Sequence, residues 1–86
     1  MNLDGAVVSE QGVTFAIVIV KPYVTQSSSE ASTAAAAYRG LFPGLPIVLA
    51  SQDSHGLFEY RGRRDLVDFL ASIDSRRIPW KRYSVS

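Results

Sequence analysis

The chain has 86 residues, of which 47% are hydrophobic and 20% charged, enough for one core and therefore one globular domain over residues 1–86. It has no cysteine, which excludes disulfides, thiolate metal sites, iron–sulfur clusters and thiol redox chemistry, and favours a reducing setting. The formal net charge is only +1, yet residues 1–60 carry two cations against five anions while residues 61–86 carry seven against three. That asymmetry points to an anionic partner or to a subunit that docks on its own acidic part.

The opening Met1-Asn2-Leu3-Asp4-Gly5 lacks a basic segment and carries an early Asp, so it does not read as a secretory signal. The longest strongly apolar run, Phe15 to Val20, falls far short of the roughly 20 residues that span a bilayer. The expectation is a cytoplasmic protein with no membrane association.

In chain order, Gly5 to Glu10 is the first predicted strand, followed by a turn at Gln11-Gly12. Val13 to Val20 is β-branched and almost continuously apolar, so both of its faces want cover and it is the natural central strand. Lys21-Pro22 ends it, because Pro donates nothing to a ladder.

The period then changes. Ser27-Ser28-Ser29-Glu30 fits a capping box, with Ser27 as N-cap. Ala31, Ala34, Ala35 and Tyr38 follow on one helical face. A helix is predicted over about residues 28–39, with Gly40 as its left-handed terminator and Pro43 just beyond.

A second cycle runs from Pro46. Ile47-Val48-Leu49-Ala50 is a buried strand, Asp53-Ser54-His55-Gly56 a turn, and Leu57 to Arg61 a strand with Phe58 and Tyr60 on one face. After Gly62, Leu66, Phe69, Leu70 and Ile73 mark a helix over about residues 63–73, with Asp65 in its first turn. The tail from Pro79 to Val85 is either a short fifth strand or an arm packed by its aromatics.

The expected fold is α+β, a two-layer sandwich with element order β-β-α-β-β-α. Its four-stranded mixed sheet has order 1-2-3-4, strands 2 and 3 are parallel, and both helices lie on one face. That arrangement leaves one apolar sheet face bare, and a bare face of this kind is an association surface.

No constellation for catalysis, cofactor or metal is present. His55 is the only histidine, and Asp53, Ser54 and His55 are adjacent turn formers rather than a triad. No Gly-rich phosphate loop occurs, and Asp65 and Asp68 lie on a solvated helix face. The residues that carry a binding signal are Arg61, Arg63 and Arg64 at the strand–helix junction, then Arg76, Arg77, Lys81 and Arg82, with Trp80 and Tyr83 interleaved. Arginine pairs with phosphate and aromatic rings stack on bases, so this composition suits an anion or a single-stranded nucleic acid. The isoelectric point near 8.1 is modest for a nucleic-acid domain. The leading expectation is a non-enzymatic interaction module, a homodimer or a partner of another protein, that associates through its apolar sheet. The alternative is nucleic-acid or other anion binding through the basic last third.

Overall fold

The computed structural model describes residues 2–10 and 12–84. The strands are β1 (Asn2–Glu10), β2 (Val13–Ile19), β3 (Ile47–Gln52), β4 (Phe58–Arg61) and β5 (Lys81–Ser84). The helices are α1 (Pro22–Thr25), α2 (Ser28–Arg39) and α3 (Arg64–Ala71), and a short 3-10 turn covers Ser75–Arg77. The fold is α+β, built on one five-stranded sheet of order β4-β3-β2-β1-β5.

The predicted run of strands 1 to 4 is present, with β2 and β3 parallel and the hairpins antiparallel. Of the two readings of the tail, the strand is the one that forms: β5 pairs antiparallel with β1, opposing Asp4 to Arg82 and Leu3 to Tyr83. This pairing draws the start of β1 back to Asn2, three residues before the predicted strand. The turn residue Gln11 and the tail residue Val85 lie outside the described residues.

The helices correct the sequence expectation, because they lie on opposite faces of the sheet. Side chains alternate along a strand, so β2 sends Phe15 and Ile17 to one side and Ala16 and Val18 to the other. Phe15, Ile17, Val48 and Ala50 pack with Leu66 and Leu70 of α3 and with Ile78. Ala16, Val18 and Leu49 pack with Val24 of α1, Ala31 of α2 and Phe42. The physical reason is the return path. From the β4 edge the chain must reach the far edge at β5, and it crosses the face that α2 leaves bare. The continuous run in β2 demanded this cover, and Phe15, Ala16, Ile17 and Val18 are all 0% exposed. The bare apolar face that motivated association is therefore absent among the described residues.

Local signals explain the elements. Ser27 caps α2, its Oγ accepting from the Glu30 N–H at 3.3 Å. Gly40 departs from expectation: it is right-handed, with φ −68°, and the left-handed turn falls instead on Gly44, with φ +78°. The single-turn helix α1 was invisible to periodicity because four residues are too few to show one. No helix among the described residues is long and apolar enough to cross a membrane.

Candidate functional site

The nine predicted contact residues do not form one surface. The folded chain divides them among three places, and most of the cations already have a carboxylate.

Arg63 donates from Nε and Nη2 to the two oxygens of Asp65 at 2.7 and 2.8 Å. That hydrogen bond holds Asp65 below the usual carboxylate range and pushes the Arg63 guanidinium above its ordinary value. Arg64 lies 3.9 Å from Asp68, one helical turn on. Arg76 clasps Asp74 at 2.6 Å, and the Arg76 side chain and backbone N–H together hold Asp74 at about 2. Arg82 reaches Asp4 across the β1–β5 pair at 3.1 Å, which raises the Arg82 pKa. These are exposed pairs, individually weak, but each reduces the field available to a polyanion.

The two aromatic residues expected to act together point to opposite faces. Trp80 lies on the α3 side, stacked on Phe58 at 5.4 Å between ring centres, with its indole N–H donating to the Ser75 carbonyl at 3.0 Å. Phe58 stacks in turn on Tyr60 at 5.9 Å, and burial pushes the Tyr60 hydroxyl pKa up. Tyr83 faces the α2 side, edge-on to Phe42 at 5.3 Å and beneath the Lys81 ammonium. Arg77 meets Val8, Glu10, Phe69 and Pro79 around a small cleft on the α3 side. A continuous base-stacking platform is not assembled from these groups.

What the fold does assemble is a groove of about 600 Å³ between α2 and the β3–β4 edge. Small side chains on one face of α2, Ser28, Ala31, Ser32 and Ala35, do not fill the space beside the sheet and leave it open. Arg39 enters at the end of that face, and Arg61 and Arg63 enter from β4 and the start of α3. No acidic residue among the described residues lines the groove. Arg61 is held in place, donating to the Thr25 carbonyl at 2.8 Å and to the Ser28 hydroxyl at 2.6 Å. Those bonds fix the plane of a group that always carries its charge and retains further N–H donors. Neither Arg39 nor Arg61 forms an ion pair among the described residues.

Arg39 was missed from the sequence because it stands alone among helix formers. Its signal was the spacing Ser28, Ser32, Ala35, Arg39, which keeps one helical face polar and small.

A second groove, of about 720 Å³, lies between α1 and α2 and is lined mainly by apolar groups that include Val20, Pro22, Tyr23 and Tyr38. His55 belongs to neither groove. The Asp53 carboxylate accepts from the backbone N–H groups of His55 and Leu57 at 2.8 and 3.0 Å, so it is engaged in shaping the turn. Comparison with protein-family models, curated proteins and solved structures found no match to the chain.

Proposed function

We propose that this chain is a small, non-enzymatic binding module that takes a phosphate- or carboxylate-bearing ligand in the groove between α2 and the β3–β4 edge. The observation that carries this reading is that Arg39 and Arg61, with the hydroxyls of Ser28 and Ser32, line a groove without an acidic lining among the described residues, with Arg63 beside them already shared with Asp65. A guanidinium suits a carboxylate or phosphate because its N–H groups match two oxygens at once. Arg61 is already oriented by Thr25 and Ser28, so little freedom is lost when a ligand binds.

The separated aromatics favour a compact anion over a nucleic-acid strand. Arg64, Arg76 and Arg82, paired with Asp68, Asp74 and Asp4, serve the fold and its solubility in this reading. The cysteine-free composition supports a cytoplasmic setting.

Titration with inorganic phosphate by calorimetry tests the reading. Arg39→Ala should weaken binding about tenfold or more, given the usual strength of hydrogen bonds to charged groups, and Arg63→Ala by less, because its guanidinium is shared with Asp65. Arg76→Ala and Arg77→Ala should leave it unchanged. Binding that ignores the first pair and follows the second, or that demands a single-stranded oligonucleotide, contradicts the proposal.

A further inference from the structure

The β4 edge of the sheet carries a self-complementary strand, and we infer that two copies of this chain pair through it, β4 against β4, about a two-fold axis at Tyr60.

The backbone sets the register. In an antiparallel ladder, alternate residues point their N–H and C=O groups toward the same neighbour. The Asp53 N–H donates to the Leu57 carbonyl at 2.9 Å, and the register opposes Ser51 to Glu59 and Leu49 to Arg61. The backbone groups of Leu57, Glu59 and Arg61 are therefore turned toward β3. Those of Phe58 and Tyr60 are turned outward, to the open edge. The other side of β3 agrees, because the Ala50 carbonyl accepts from the Val20 N–H of β2 at 2.7 Å.

A second copy can bond those outward groups in antiparallel registers centred on Glu59, Tyr60 or Arg61. Centring on Glu59 sets Glu against Glu, and centring on Arg61 sets Arg against Arg. Centring on Tyr60 sets Glu59 of each copy opposite Arg61 of the other, twice, with Tyr60 facing Tyr60 on the α3 side. Directly opposed unlike charges stabilise a strand pair and like charges oppose it. Moreover, the Glu59–Arg61 pairs occupy the non-hydrogen-bonded positions, where facing side chains approach most closely. Charge and backbone thus select the same register, and a two-fold axis supplies both charge pairs at once.

The opposite edge is built differently. β5 presents Lys81 and Arg82 along four residues, the sort of cationic edge that discourages pairing. The inference shares Arg61 with the anion reading but rests besides on the outward backbone of Phe58 and Tyr60 and on Glu59, which that reading does not use.

Sedimentation equilibrium of the full chain in phosphate-free, low-salt buffer tests it, over about 10 μM to 0.5 mM, a range suited to a small interface. The mass should rise from one chain's 9.4 kDa toward twice that value. Glu59→Lys should hold the protein at the single-chain mass, and so should Arg61→Glu. An equimolar mixture of these two should recover the double mass, because each dyad-related pair then carries opposite charges. Arg61 also anchors α1 and α2, so Tyr60→Pro provides an independent variant. It removes an N–H that faces away from β3 and should give a folded, single-chain species by circular dichroism. Arg39→Ala and Arg63→Ala, which weaken the anion site, should leave the mass unchanged. A wild-type chain that stays at 9.4 kDa throughout overturns the inference, as does a dimer that survives both Glu59→Lys and Tyr60→Pro.

Discussion

The hydroxyls of Thr25 and Ser51 meet 2.6 Å apart in a fully enclosed position, joining the end of α1 to strand β3. Thr25 Oγ1 also donates to the Pro22 carbonyl at 3.0 Å, which leaves Ser51 as the donor of the shared bond. Two substitutions should therefore differ. Thr25→Val strips both partners and strands the Ser51 hydroxyl, so it should destabilise by about 1–3 kcal/mol, whereas Ser51→Ala leaves Thr25 bonded to Pro22 and should lie nearer 1 kcal/mol. Urea denaturation midpoints of the two variants give the order.

Leu70 on α3 is 0% exposed and packs on the face opposite α2, whereas Leu57 is 67% exposed at the sheet edge. Leu70→Ala should cost about 2–5 kcal/mol, since it leaves a cavity between helix and sheet. Leu57→Ala should change stability by less than about 0.5 kcal/mol. Equal effects at the two sites in thermal unfolding would mean that α3 does not cover the sheet.

Gly40 and Gly44 lie in one connection and should respond in opposite directions. Gly40 is right-handed with its nearest obstacle, the Ala37 carbonyl, at 3.8 Å from an added Cβ. Gly40→Ala should raise stability by about 0.4–1 kcal/mol by restricting the unfolded chain. Gly44 has φ +78° with no atom near an added Cβ, so Gly44→Ala suffers only the left-handed penalty of about 1–2 kcal/mol. Melting temperatures of the single variants decide the signs.

Asp74 is held at about 2, chiefly by the Arg76 guanidinium and then by the Arg76 backbone N–H. Its folded value is depressed, so its contribution is full above the ordinary value of 3.8 and is lost as the pH falls toward 2. Carbon-detected NMR should follow the Asp74 carboxyl titrating near pH 2, with the Ser75–Arg77 turn loosening in step. In Arg76→Ala the midpoint should move up toward the ordinary value.

The helical faces were legible in the sequence because Ala31, Ala34 and Tyr38, and likewise Leu66 and Leu70, recur at helical spacing. The order of β1 to β4 followed from short turns and a single crossover helix. The side of the sheet taken by α3 was not legible, since the exit at Gly62-Arg63 has no residue code for direction. The unbroken apolar run of β2 did state that both faces are covered, and that demand outweighed the two-layer expectation. For the groove, Arg61 and Arg63 stood out as neighbours in sequence. Arg39 joins them only when α2 is laid beside β3, a long-range contact that local spacing does not encode. The basic last third looked like one surface because its charges are close in sequence, but acids from β1 and α3 and from Asp74 draw them apart.

The most direct measurement is an NMR titration of the isotopically labelled chain with inorganic phosphate, reading backbone amides and arginine Nε–H signals together. The account predicts shifts confined to Ser28, Ser32, Arg39, Arg61 and Arg63, diminishing as salt is added. Shifts centred on Arg76, Arg77 and Arg82, or no shifts at any phosphate concentration, would contradict it.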